Sequence, residues 1–325
     1  MTSALAPKTK PIYFDPDGLM DRARGAYLGL AVGDALGATV EFMTPREIAH
    51  THGQHKDITG GGWLNLKPGQ VTDDTEMSLA LGRAILFGGG FHDKTIAEAF
   101  SVWLKSKPVD VGHTVRRGIV RFRAAGTTQA PEDEYDAGNG AVMRALPVAL
   151  STLGAPHEDV TRAAKLQAHV THNAPLADLG LVAVVRMVQR ALLNSGGAYR
   201  DMIAIAHALH EESGKYDFTK KAQINPSGFL PETLRAVFQA FARTDGFEAA
   251  LIDVVNRGGD ADTTGAILGF IVGALHGAKA IPRRWLSALE VDVRNACEDQ
   301  ALQLLELSPL LSGVPVRFIP NSATP

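Results

Sequence analysis

Cysteine is nearly absent from the 325 residues: Cys297 stands alone, so no internal disulfide can form, and a reducing compartment suits the chain. Its neighbours, Ala296 and Glu298, offer no help to a reactive thiol, so it reads as structural. Long apolar runs are missing too. The longest, near Ile267–Leu275, falls well short of the roughly 20 residues a membrane-spanning helix needs. The first residues hold Pro7 and Pro11 and no apolar segment of the signal-peptide kind. A soluble, cytoplasmic protein is expected, with residues 1–14 as a flexible N-terminal tail. Excess charge is lacking as well: the net charge is −3 and charged residues make up 21%, which gives no basis for binding a nucleic-acid backbone. Runs of alternating polarity, the mark of half-buried strands, are scarce, and Val314–Ile319 is the one stretch that raises the question.

What is abundant is helical periodicity, with a hydrophobic content of 45% to fill a core. Asp15-Pro16-Asp17 caps a first helix running Leu19 to about Leu36. Further helices are predicted at Glu76–Phe87, Ile96–Lys105, Thr114–Ala125, Ala145–Leu153, Asp159–His169, Leu176–Leu193, Tyr199–His210, Pro231–Arg243, Phe247–Asn256, Gly265–Ala280, Arg283–Ala288 and Val291–Leu307. The fold is therefore all-α, one multi-helix domain over 15–312 followed by a C-terminal tail, 313–325. Lys215–Ser227 is the best candidate for an inserted loop, and Arg116, Arg117, Arg121 and Arg123 read as a solvated helix face.

Two helices carry glycine every fourth residue: Gly25, Gly29, Gly33 and Gly37 in one, Gly265, Gly269, Gly273 and Gly277 in the other. Each glycine costs a helix up to about 1 kcal/mol relative to alanine, so four in a row imply that another backbone comes close. Either the two rows meet each other, or each meets a bulky neighbour.

The chemistry gathers at helix starts. Asn256-Arg257-Gly258-Gly259-Asp260-Ala261-Asp262-Thr263-Thr264-Gly265 precedes the most apolar run, and Thr72-Asp73-Asp74-Thr75-Glu76 heads another helix. Carboxylates and hydroxyls are hard oxygen ligands that suit Mg²⁺, Mn²⁺ or Ca²⁺. One such cluster alone reads first as a helix cap; two of them hold more oxygens than capping requires. Glu41 lies among apolar neighbours, where a lone carboxylate is costly. Asp110 lies between two valines in a loop. Thr59-Gly60-Gly61-Gly62-Trp63 is a glycine-rich loop. Gly138-Asn139-Gly140-Ala141-Val142-Met143-Arg144 exposes backbone amides before a helix, which suits an anion or an ordinary junction; Arg144 fits a phosphate or a structural carboxylate. His172, between Thr171 and Asn173, joins two helices and reads as a structural residue or a ligand contact.

Taken together, Gly29 to Gly37 with Glu41, Gly69 to Thr75, Gly138 to Arg144, Thr171-His172 and Gly258 to Thr263 resemble the ADP-ribosylglycohydrolase family over roughly residues 20–280. The intervening sequence is similar to the bacterial dinitrogenase reductase-activating group, whose members remove ADP-ribose from an arginine of the nitrogenase iron protein. The resemblance implies a binuclear centre of Mn²⁺ or Mg²⁺, with Thr72, Asp73 and Asp74 on one side and Asp260, Asp262 and Thr263 on the other. It implies Glu41 and Asp110 as catalytic residues, Asp110 facing the guanidinium. Gly138, Asn139, Gly140, Met143, Arg144 and His172 would bind the ADP-ribose. It further implies control by a PII-type signalling protein and reversible attachment to the membrane through an ammonium channel. Two other readings are a hydrolase of another ADP-ribosyl linkage, to serine or in O-acetyl-ADP-ribose, and a non-catalytic, crystallin-like member of the fold.

Overall fold

A computed structural model describes residues 15–194 and 197–320. The tail expected at 1–14 and the last residues of the one expected at 313–325 lie outside the described residues. The helices are α1 (Pro16–Gly37), α2 (Pro45–His52), α3 (Asp73–Gly88), α4 (Asp93–Lys105), α5 (His113–Ala125), α6 (Leu146–Ser151), α7 (His157–Ala168) and α8 (Pro175–Leu193). Then follow α9 (Ala198–Glu212), α10 (Leu230–Arg243), α11 (Phe247–Val255), α12 (Ala261–His276), α13 (Arg283–Ala288), α14 (Val291–Leu307) and α15 (Pro309–Ser312). The fold is all-α. Among the described residues β structure is limited to isolated bridges, Gly61–Leu66, Phe91–Phe318 and Gly138–Phe229. The strand considered at Val314–Ile319 is thus a single bridge, fixed by Phe91 N donating to Arg317 O and Ile319 N to Phe91 O.

The glycine rows meet each other. α1 and α12 run antiparallel, and a Cβ added to Gly29, Gly33 or Gly37 would land on the carbonyl oxygen of Gly269, Gly265 or Ala261. At the far end Gly25 meets both Gly273 and Gly277, and Gly277 faces Asp21, the next position of the same spacing. Around this pair pack α3, α8, α10, α11 and α14. The buried Tyr27 hydroxyl of α1 bonds to Gln300 of α14, whose amide donates to Leu79 O of α3 at 3.1 Å. Cys297 is buried on the same helix, and burial pushes its thiol up, as a structural cysteine requires. The antiparallel pairing sets the end of α1, with Glu41 just beyond it, beside the start of α12.

Some boundaries differ from the periodicity. α3 begins at Asp73, not Glu76, and α12 at Ala261, not Gly265, so the acidic residues belong to the first helical turns. α2 was not anticipated, although Thr44-Pro45-Arg46-Glu47 is a capping box with proline at the first position: Glu47 N donates to Thr44 Oγ1 and Thr44 N to Glu47 Oε2. Of the α5 arginines, Arg116, Arg117 and Arg123 are exposed, as expected of a solvated face, and Arg121 is half-buried. Arg117 pairs with Asp136, Arg121 donates to Val170 O and Arg123 to Ser101.

Candidate metal centre and ligand cleft

The residues at the two N-cap positions, Thr72 of α3 and Asp260 of α12, do not cap their helices, although Asp262 Oδ1 accepts from Thr263 N at 2.8 Å. The amides of α3 are taken by another helix. Asp34, fully buried in α1, accepts from Thr72 N at 3.0 Å and Thr75 N at 3.1 Å, and from both threonine hydroxyls. Asp74 is left free to face α12, while Asp73 accepts from Gly112 N, at the head of α5, at 3.4 Å.

There the two clusters come together. Thr263 Oγ1 donates to Asp74 Oδ2 at 3.3 Å, and Thr72 Oγ1 lies 3.5 Å from both Asp74 Oδ2 and Asp262 Oδ2. Glu41, Asp260 and Asp262 can each place an oxygen within 4.8 Å of the other two, a group that can hold a metal ion. Glu41 therefore belongs with the acids of α12 by position. Asp74 Oδ1 is buried with no hydrogen-bond partner, an orphan acceptor of the kind a cation satisfies. Burial pushes every one of these carboxyls up, and the neighbouring acids push them further: Glu41 and Asp73 to about 8, Asp74, Asp260 and Asp262 upward too. Cations would relieve that repulsion, and the donors are all hard oxygens, so the residues fit divalent ions of the Mg²⁺ or Mn²⁺ kind.

A cavity of about 530 Å³ opens beside this group, within the range of small-molecule sites. Glu41, Asp73, Asp260, Asp262 and Thr263 line it, as do Asp110, Gly138, Asn139, Gly140, Met143 and His172. Asp110, in the loop before α5, accepts from Val111 N at 2.7 Å. Its charge contributes to the upward push on Asp73, Glu41 and Asp260. Asn139 donates to Asp260 and, at 3.0 Å, to Thr233. The loop expected as an insertion shapes the wall: Asp260 N donates to Pro226 O and Asn225 N to Arg257 O.

Thr72 and Asp74 lie behind the cavity wall, in the cluster itself. Arg144 does not line the cavity at all. It is fully buried, its Nε bonded to Gln167 Oε1 at 2.8 Å and one terminal nitrogen to Gln167 O and Thr171 Oγ1, with the guanidinium 4.3 Å over the Phe100 ring. Its structural partners are an amide, a carbonyl and a hydroxyl, not the phosphate or carboxylate considered from sequence. Thr171 Oγ1, accepting from Arg144, has one hydrogen left and lies 2.8 Å from His172 Nδ1. Donation there leaves the His172 proton on Nε2, the atom beside Gly138 and Gly140. Burial and the charges of Arg144 and Arg117 push His172 down to about 3, so it is neutral.

Two residues that sequence reasoning gave no role are Asp34 and Trp63. Asp34 had a signal: it is the one acid inside an otherwise apolar stretch of α1. Trp63 donates its indole N–H to Glu41 Oε2 at 2.6 Å and also lines the cavity.

The family model for ADP-ribosylglycohydrolase matches residues 15–311. Over 290 residues the chain is 49% identical to "ADP-ribosyl-[dinitrogen reductase] glycohydrolase" of Rhodospirillum rubrum, covering 89% of this chain and 97% of that protein. It is 30% identical to "ADP-ribosylarginine hydrolase Tri1" of Serratia proteamaculans (strain 568), covering 93% and 83%. Among solved structures, an "ADP-ribosylglycohydrolase-related protein complex" superposes with a TM-score of 0.79 at 34% identity, covering 90% of this chain and 99% of that one. The two acidic half-sites thus lie in a chain that matches such proteins over most of its length, and this chain belongs to the ADP-ribosylglycohydrolase family.

Proposed function

We propose that the protein is a hydrolase that removes ADP-ribose from an ADP-ribosylated arginine of a target protein, and that the target is a nitrogenase iron protein. The observation that carries the reading is one cavity holding three kinds of wall: the acidic group of α3 and α12, the Gly138–Asn139–Gly140 turn with neutral His172, and Asp110. The named activities of the Rhodospirillum rubrum and Serratia relatives support the arginine linkage.

In this reading residues 15–312 act as one catalytic unit. Thr72, Asp73, Asp74, Asp260, Asp262 and Thr263 would hold two Mn²⁺ or Mg²⁺ ions. Bound there, the ions would polarise the ribose hydroxyls and a water. Gly138, Asn139, Gly140 and Met143 seat the ADP-ribose, and His172 turns an Nε2–H toward it. Asp110 pairs with the guanidinium through a charge-assisted bond. The bond between ribose C1″ and the guanidine nitrogen breaks as positive charge develops on the ribose, and water adds at C1″. Glu41 takes the proton that water gives up and returns it to solvent, and the departing neutral guanidine, held beside Asp110, takes one up from solvent, so arginine leaves in its ordinary charged form. The reaction neither consumes nor releases a proton overall.

The same reading extends to partners: a PII-type signalling protein and, through it, an ammonium channel. Membrane attachment would then be indirect, since among the described residues no helix is long and apolar enough to cross a membrane.

The test is hydrolysis of an ADP-ribosyl-arginine protein before chelation, after it, and after Mn²⁺ is restored, beside an ADP-ribosyl-serine substrate. Chelator-sensitive, Mn²⁺-restored release from arginine is the expected result. Release from serine alone would overturn the substrate assignment, and no release from a folded, Mn²⁺-loaded sample would overturn the activity.

A further inference from the structure

The loop Thr59-Gly60-Gly61-Gly62-Trp63 has no part in the reading above, and its backbone is unusual. All three glycines have positive φ, +67°, +81° and +67°, a region that side chains disfavour. Two of them are also confined. A Cβ on Gly60 would lie 2.6 Å from Leu66 O, and one on Gly62 the same distance from Ala38 O. Gly61 and Leu66 exchange backbone hydrogen bonds of 2.7 and 2.9 Å, closing the turn. The chain thus presses a tight turn against the segment that leads from α1 to Glu41, with Trp63 at its tip.

Trp63 is 51% exposed, unlike Trp103 and Trp285, which are buried. Half of the side chain lies in water, so burial of the ring as a whole does not force the indole N–H into a protein contact. Yet it is spent on Glu41, a carboxylate only 5% exposed. The other side of the contact is shaped as well. Phe42, directly after Glu41, has φ +63°, is anchored by its N–H to Gly259 O at 2.7 Å, and packs its ring 5.3 Å from that of Trp63. Two left-handed segments converge on one hydrogen bond.

We infer that Trp63 is a positioning residue: its indole N–H fixes the Glu41 carboxylate so that the other oxygen, Oε1, is presented to the cleft. The indole bond occupies Oε2 and sets the carboxylate plane, as outer hydrogen-bond partners do for carboxylates at metal sites. The three-glycine turn is then the device that delivers an indole to that place. This inference rests on the proposed role of Glu41 in the cleft, and the experiment separates the two.

Trp63→Phe keeps an aromatic ring against Phe42 and removes the donor; Trp63→His restores a ring N–H. Two quantities are read: steady-state hydrolysis of an ADP-ribosyl-arginine protein, and Mn²⁺ binding to the chelated protein by calorimetry. Trp63→Phe is expected to lower kcat by about 10- to 100-fold with KM within about twofold, and to weaken Mn²⁺ by a similar factor. Trp63→His is expected to recover part of both losses, and thermal midpoints should stay together because the site is half-exposed. Wild-type kcat and Mn²⁺ affinity in Trp63→Phe, a loss confined to KM, or equal losses in the two variants would overturn the inference. If the wild type failed to hydrolyse the arginine linkage at all, the activity reading would fall while the Mn²⁺ comparison still decided the role of Trp63.

Discussion

Replacing Gly269 by alanine tests the architecture at its centre. In most helices the change adds about 1 kcal/mol of stability, because alanine loses less backbone entropy. Here the new Cβ would fall on Gly29 O and 2.7 Å from its carbonyl carbon, inside the 3.0 Å below which such contacts do not occur. The obstacle is main chain, so no rotamer change relieves it, and α1 and α12 must move apart. Overpacking of a tight interior costs about 1–3 kcal/mol, and a rigid obstacle puts the cost at the upper end. Subtracting the helix gain leaves a net loss of about 2 kcal/mol. Gly88→Ala is the matched control: that glycine ends α3, and an added Cβ meets nothing within 4 Å. It should be neutral or stabilise by up to about 1 kcal/mol.

Urea unfolding at fixed Mn²⁺, read by far-ultraviolet circular dichroism, measures both. Gly269→Ala should lower the midpoint and Gly88→Ala should leave it unchanged or raise it, with unchanged slopes. If Gly269→Ala matched Gly88→Ala, the glycine rows would not be in backbone contact, and the account of how α1 meets α12 would be wrong. Position along the seam adds a second check. Gly33→Ala lies one residue from Asp34 and opposite Gly265, so it should reduce turnover as well as stability. Gly273→Ala, at the end remote from the acids, should reduce stability with turnover much less affected.

Asp110→Asn should abolish most arginine-specific turnover while Mn²⁺ binding by calorimetry stays at the wild-type level; normal turnover would remove Asp110 from the mechanism. Asp34→Asn replaces a carboxylate that accepts from two amides and two hydroxyls, and a loss of about 3 kcal/mol or more is expected on urea unfolding, since charged acceptors of this kind are the expensive ones to break. His172 has a folded-state pKa near 3 against an unfolded value of 6.5, so the unfolded chain binds its proton first as pH falls. The stability it permits is whole above pH 6.5 and declines toward pH 3. The loss in urea midpoint between pH 7 and pH 5 should therefore shrink in His172→Gln; equal losses would refute the buried, neutral assignment.

How much of this was legible in the sequence depended on the range of the interaction. Helices with a clear apolar period stood out because the period is local. The glycine rows declared a close approach, since nothing local explains four costly residues at one spacing, but the sequence left the partner of each row open. Gly138 to Met143 and Arg144 show the limit most plainly. They are contiguous, yet the first part lines the cavity and Arg144 turns behind it to Gln167 and Thr171. Which way the side chain points at a loop-to-helix junction is set by the turn, not by spacing. Trp63 was quoted with its loop and given no function, because its acceptor lies 22 residues back and the turn that joins them depends on three positive φ values.

Asp34 resolves a difficulty the acidic clusters raise. A helix N-terminus carries partial positive charge and repels a cation, yet both clusters head helices. On α3 the free amides of Thr72 and Thr75 are the source of that charge, and Asp34 covers them from below with a full negative charge. The field that Asp73 and Asp74 would otherwise have to cancel is already answered. Their carboxylates are spared from capping, which is why Asp74 keeps a buried oxygen with no partner. The glycine seam makes this possible: only two helices in backbone contact bring the last turns of α1 and the first of α12 close enough for Asp34 and Asp262 to serve one α3 terminus. Lengthening the seam by a methyl group at Gly33 and neutralising Asp34 should therefore be non-additive in Mn²⁺ affinity. A double variant, Gly33→Ala with Asp34→Asn, is expected to weaken Mn²⁺ less than the product of the single effects, because each disrupts the same junction. Strict additivity in calorimetric titrations would mean that the seam and the buried carboxylate act on the site separately.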